Sequence, residues 1–199
     1  MRLPVRLSFF IFNLSLFIFL SSCSDDKDAP YPSIVTELAD CPTDDGGKMT
    51  RIVLDDDTQL TLTNPQKGLK ANTTYRFLAG FTKEEDQCAT LYSLRQAALL
   101  GDSTEVAKSD PVNVVSLWRT QRYINLHLRP KTQGGEQTWG FIVENIVGNH
   151  AYLRLHHRQG IDPTAYSTDQ YASLPLDLVP AEQITLRIET FDGTRQWEL

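Results

Sequence analysis

Along most of the chain, short stretches of alternating apolar and polar residues are separated by clusters of Asp, Asn, Gly and Pro. A period of two puts successive side chains on opposite faces of an extended strand, so this pattern predicts half-buried β-strands joined by turns. In the first half the strands fall at 33–41, 48–54, 59–63, 73–81 and 88–97. Leu60 and Leu62 share one face of the third, and Tyr75 and Phe77 one face of the fourth. The turn-forming residues at 42–47, Asp55-Asp56-Asp57, 64–72 and 83–86 separate them. Five short strands with a long loop after the third predict a small OB-like five-stranded β-barrel over 33–97, and strand count alone leaves an SH3-like barrel open.

The alternation lapses over 98–110 and resumes after Asp110-Pro111, where the proline holds the preceding residue extended. This segment reads as a linker, with a short helix over 94–100 as the competing reading. Beyond it, strands are predicted at 112–118, 123–129, 138–145, 150–158, 173–179, 183–191 and 195–199. The first four pair as hairpins around 119–122 and Gly148-Asn149. Seven strands with one apolar face each require a second sheet to cover them, so 111–199 is expected to be a seven-stranded β-sandwich and the whole chain all-β.

The N-terminal pattern differs. Arg2 and Arg6 precede a nearly unbroken apolar run over 9–20, too short for a stable span of about 20 residues and laid out as an export signal. Residues 1–22 are therefore expected to be removed as a signal peptide. Leu20-Ser21-Ser22-Cys23 resembles the lipobox of bacterial lipoproteins, which would make Cys23 the lipidated first residue and the membrane a partner through its anchor. An ordinary secretory signal is the other reading. Residues 23–32 form an acidic tether that cannot bury apolar area and is expected to be disordered. Its run Ser24-Asp25-Asp26-Lys27-Asp28 resembles the surface-export signal of Bacteroidota lipoproteins, pointing to the outer face of the outer membrane, with the periplasmic face as the alternative.

Charge narrows the partners. Loss of Arg2 and Arg6 takes the formal charge from −6 to −8, and no basic cluster interrupts the acidic balance, which disfavours a nucleic-acid partner. After Cys23 only Cys41 and Cys88 remain. In an oxidising compartment they read as a disulfide, and two buried free thiols are the alternative. The aspartates at 44–45 and 55–57 lack the glutamate that closes an EF-hand loop and read as turn formers. No G-x-S-x-G elbow occurs, the four histidines lack ligand spacing, and sequence alone does not bring Glu144 and Glu189 together as an acid–base pair. No catalytic residue, metal ligand or cofactor is expected.

One surface stands out: the polar face of 123–129 and 150–158, with Tyr123, His127, Arg129, Tyr152, Arg154, His156 and Arg158. If these strands are neighbours in one sheet they form a basic, aromatic patch suited to a protein or anionic glycan partner. Alternation alone also puts polar residues outside.

The lipobox and acidic tether come before Leu54-Asp55-Asp56-Asp57, Leu91-Tyr92-Ser93 and Asp110-Pro111-Val112. Trp118, Tyr123-Ile124-Asn125-Leu126, Ile184-Thr185-Leu186-Arg187 and Phe191-Asp192-Gly193 follow in order. This order resembles the NigD-like lipoproteins. The resemblance implies an N-terminal OB-like barrel and a C-terminal β-sandwich. It also implies a role beside bacteriocin production or immunity, and it supplies no catalytic residues to carry over. The expected function is that of a non-enzymatic envelope lipoprotein, exposed at the surface and engaging a protein or glycan. A bacteriocin accessory or immunity protein and an enzyme acting on a surface polymer are the alternatives.

Overall fold

The structure, a computed structural model, describes residues 33–104 and 108–199. The expected signal peptide, Cys23 and the tether through residue 32 lie outside the described residues. The described chain is all-β apart from one 3-10 turn at Leu176–Leu178.

Strands β1 (Val35–Pro42), β2 (Met49–Leu54), β3 (Gln59–Gln66), β4 (Thr74–Lys83) and β5 (Cys88–Gln96) close a barrel in the order β1-β2-β3-β5-β4. Their inward residues, among them Ala39, Cys41, Ile52, Leu60, Leu62, Phe77 and Phe81, form one core. The aspartates of the connections are turn formers: Asp44 Oδ1 accepts the N–H groups of Gly46 and Lys48, and Asp56 Oδ1 accepts that of Thr58.

The described residues after the barrel enter the sandwich as short strands. Strands β6 (Ala98–Leu99) and β7 (Gly101–Asp102) follow β5 almost directly. They precede β8 (Asn113–Arg119), β9 (Tyr123–Arg129), β10 (Lys131–Thr132), β11 (Thr138–Val147) and β12 (His150–Arg158). The chain ends with β13 (Tyr166–Ser167), β14 (Gln170–Pro175), β15 (Gln183–Thr190) and β16 (Gly193–Glu198). A four-stranded sheet, β6-β14-β9-β8, packs on a five-stranded sheet, β16-β15-β12-β11-β7. Ile124, Leu126 and Leu128 from the first meet Phe141, Leu153, Leu155 and Leu186 from the second in the core.

Residues 98–110, read in the sequence as a linker, thus add an edge strand to each sheet, with Leu100 buried in the core between them. Two-residue strands are too short to show a period, which is why the alternation lapses there. Gly140 makes this possible: a Cβ at that position would sit 3.0 Å from the Gly101 carbonyl oxygen. A strand expected at 173–179 instead runs Gln170–Pro175 and gives way to the 3-10 turn.

The expected Cys41–Cys88 bond is not formed; both are free thiols, Cys41 buried and Cys88 partly exposed. Topology keeps them apart. Cys41 lies opposite Tyr75 at one end of β4, whereas Cys88 precedes Ala89, which lies opposite Lys83 at the other end. Eight residues of strand at about 3.3 Å each separate those positions, far beyond the roughly 7 Å that a disulfide bridges. Burial, with the neighbouring Asp40 charge, pushes the Cys41 thiol up to about 12 and leaves it unreactive.

Candidate functional site

Two polar residues sit where a barrel surface would normally meet water. Asp40 on β1 and Arg76 on β4 are directly opposite one another on the outside of the barrel, yet they are only 4% and 3% exposed. The outer face of the four-stranded sheet covers them.

Arg76 is held from both sides of this seam. From the barrel, its Nη1 donates to Asp40 at 3.1 Å and its Nη2 to Asp55 at 2.6 Å. From the sandwich, its Nε donates to Ser173 Oγ at 3.0 Å and its Nη2 to Asn125 Oδ1 at 3.2 Å. Its guanidinium also lies 4.0 Å from the centre of the Tyr123 ring. Asp40 accepts from Arg122 and from the Tyr123 hydroxyl, and Asp55 accepts from Asn125 Nδ2 at 2.6 Å. Burial and the Asp40 charge push the Tyr123 phenol up to about 12, so it stays a donor.

Two positive and two negative groups therefore neutralise one another in the seam, with Arg76 and Asp40 buried, Asp55 mostly buried and Arg122 partly exposed. Burying ions costs several kcal/mol each, roughly, and is offset only where geometry is good and the remaining donors and acceptors are used. Here they are used. The network fixes the barrel on the sandwich in one orientation, and backbone bonds from Ala97 to Arg76 and from Leu100 to Ser173 reinforce it.

Two open clefts adjoin the network. One, of about 630 Å³, is bounded by Glu37, Leu38, Asp55, Asp56, Trp118 and Tyr171, among others. The second, of about 550 Å³, is bounded by Tyr75, Arg76, Leu99, Arg122, Tyr123 and the 175–178 segment. Gln121 lines both.

The surface expected from the sequence is divided by the structure. Tyr123, His127 and Arg129 on β9 belong to the four-stranded sheet, whereas Tyr152, Arg154, His156 and Arg158 on β12 belong to the five-stranded one. They are not neighbours and form no single patch. Tyr123 is buried in the seam. His127 stacks on Tyr171 with ring centres 4.4 Å apart, and Asp169 binds both His127 at 2.8 Å and Arg129 at 2.7 Å. On β12, Tyr152 is exposed, but Arg154 and His156 are buried. The incoming segment lies against this strand: Ser109 Oγ donates to the Leu155 carbonyl and accepts from Arg154 Nη1, and the Asp110 N–H donates to the His157 carbonyl. Glu144 accepts from Arg154 at 3.0 Å and from Arg187 at 2.6 Å, while Glu189 accepts from Thr194, so the two carboxylates serve separate structural bonds.

Asp162, which the sequence did not mark, organises the far end of the sandwich. It accepts from Thr132 Oγ1, the Gln133 and Gly135 N–H groups and Gln137 Nε2, joining the 131–137 loop to the 159–162 turn. Those bonds, led by Thr132 and Gln133, lower its pKa to about 2. The seam residues were partly visible as polar positions on strands, but Arg76, Asp40, Asn125 and Ser173 gave no sign of meeting. They lie up to 133 positions apart in the chain, from Asp40 to Ser173.

Comparison with known proteins agrees with this architecture. A NigD-like immunity protein from Bacteroides caccae is 23% identical and superposes with a TM-score of 0.65, over 85% of this chain and 93% of that one. A protein from Parabacteroides distasonis, provisionally described as toxin related, is 15% identical with a TM-score of 0.67, over 83% and 92%. A third, from Bacteroides fragilis and provisionally described as a lipoprotein, is 13% identical with a TM-score of 0.62, over 84% and 97%. Comparison with curated proteins finds no match. A family model described as the NigD-like C-terminal beta sandwich domain matches residues 96–199, more than half of the chain, and the chain belongs to the NigD-like family.

Proposed function

We propose that this protein is a lipid-anchored envelope protein that acts by holding a partner protein at the clefts beside its seam, without catalysing a reaction. The observation that carries this reading is the buried network centred on Arg76, which makes barrel and sandwich one preorganised body with two open clefts beside it. A rigid receptor loses little freedom on binding, which favours affinity. The carboxylates and guanidinium groups of the seam are engaged with one another, an arrangement suited to holding shape and not to moving protons.

Lipidation at Cys23 would keep the protein on its membrane, and the acidic residues after it support the outer face of the outer membrane. The descriptions of two fold relatives, one an immunity protein and one toxin related, make a protein toxin the first partner to test.

A photo-crosslinking residue placed at Gln121 of the full-length lipoprotein in intact cells tests the reading, with one at Arg195 on the exposed edge strand as reference. Partner adducts at Gln121 and none at Arg195 are expected. Normal expression with no adduct at Gln121, or equal adducts at both, overturns the seam as the binding region. Loss of the gene is expected to raise sensitivity to the toxin, and unchanged sensitivity would remove the immunity reading.

A further inference from the structure

The two clefts differ in charge, and the difference points to an occupant. The cleft of about 630 Å³ lies between the outside of the barrel and the outer face of the four-stranded sheet. Its floor is apolar, with Leu38, Leu78, Tyr171 and Trp118. Glu37, Asp55 and Asp56 line it with no Lys or Arg among the lining residues; Asp55 is already bound to Arg76, so Glu37 and Asp56 carry its acidic character. The other cleft is lined by Arg76 and Arg122 as well as Asp40 and Asp177, so its charges balance locally.

We propose that this acidic cleft docks a basic segment of a polypeptide partner, with an Arg or Lys side chain lying over Trp118 and reaching Glu37 and Asp56. The inference rests on the partner-binding reading above. Trp118 is 38% exposed, and among the described residues no cation or second ring stacks on it, whereas Tyr171 already has His127 and Arg95 beside it. Asp56 is exposed, and the hydrogen bonds from Thr58, with a smaller contribution from the Lys83 charge, hold its carboxyl below the usual carboxylate range. Glu37 has a cation near it, Lys83 at 3.6 Å, but both side chains are exposed, and such a pair exchanges partners at little cost. The protein makes the same contact internally, with the Arg76 guanidinium 4.0 Å from the Tyr123 ring centre and bound to Asp40. A guanidinium placed between an aromatic face and a carboxylate gains from both. The acidic surface as a whole would steer a basic segment toward the cleft.

Random dodecapeptides displayed on phage, selected on the full-length lipidated protein in detergent micelles, provide the test. The expected sequences carry Arg or Lys beside an apolar residue. Their binding should weaken as salt rises and fall about tenfold in Trp118→Ala and in the Glu37→Gln, Asp56→Asn pair. These residues are exposed, and an unchanged melting transition verifies that each variant folds. Sequences without basic enrichment, or binding that survives both variants, overturn the inference. Selective retention of a glycan array ligand through Trp118 does so too, in favour of a sugar site. A crosslinked partner at Gln121 whose binding survives the cleft variants overturns this inference and leaves the broader partner-binding function standing.

Discussion

Strands β9 and β12 present nearly the same outward residues, Tyr123-x-Asn125-x-His127-x-Arg129 and Tyr152-x-Arg154-x-His156-x-Arg158. On β9 the barrel covers the first half of that row, and Tyr123 and Asn125 become members of a buried ion network. On β12 Ser109 and Asp110 bond to the strand's own carbonyls, Arg154 turns to Glu144, and Tyr152 stays 39% exposed. One pattern therefore has two uses. What meets each strand decides whether its polar row becomes a joint between domains or a set of bonds within the sandwich.

The comparison breaks or sharpens with substitution of the two central arginines. Arg76→Met leaves Asp40 with Arg122 and Tyr123 and Asp55 with Asn125, but it removes the buried cation that joins both carboxylates, and is expected to cost about 3 kcal/mol. Its urea transition should also split as barrel and sandwich lose their coupling. Arg154→Met removes a comparable charge from β12, but Arg187 still serves Glu144, and about 1–2 kcal/mol is expected. Equal losses at the two sites would end the distinction.

The two tyrosines offer a finer comparison. Tyr123→Phe removes the donor to Asp40 and should cost about 1 kcal/mol, whereas Tyr152→Phe should cost about nothing. Tyr123 also gives the seam an alkaline limit. Its phenol ionises at about 12 in the folded protein against about 10 unfolded, so the folded state retains the proton longer and stability falls as pH rises through that window. Denaturation followed from pH 9 upward should show the decline in the native protein and a weaker one in Tyr123→Phe.

Asp162 gives the opposite sign at the other end of the sandwich. Its carboxyl titrates at about 2 when folded against about 3.9 unfolded, so its contribution is present above pH 4 and lost as pH falls toward 2. An acid titration of Asp162→Asn should lack that part of the slope. The smallest effect is chemical: iodoacetamide should label Cys88 and spare Cys41 in the folded protein, and label both in urea. Protection of Cys88 together with Cys41 would reopen the question of their pairing.

Much of the fold was legible because alternation is local. The strands at 48–54, 123–129 and 150–158 match β2, β9 and β12 closely, β3 runs on to Gln66 where a loop was expected, and the turn aspartates behave as their side-chain chemistry requires. The crossing segment was not legible, because two-residue strands have no period and their partners β14 and β11 lie far along the chain. Periodicity separated the faces of β9 and β12 correctly but could not say that these strands belong to different sheets.

The sequence by itself determined the all-β class, the five strands of the barrel, the sandwich and the apolar side of each strand, since these follow from residue type and a spacing of two. Only the tertiary structure decided that Cys41 and Cys88 stand at opposite ends of β4 and that Asp40, Arg76, Asn125 and Ser173 converge. It alone placed an acidic cleft beside that junction. Each of these depends on which distant surfaces meet, and a buried charge is tolerable only once its partners have been delivered to it by the fold.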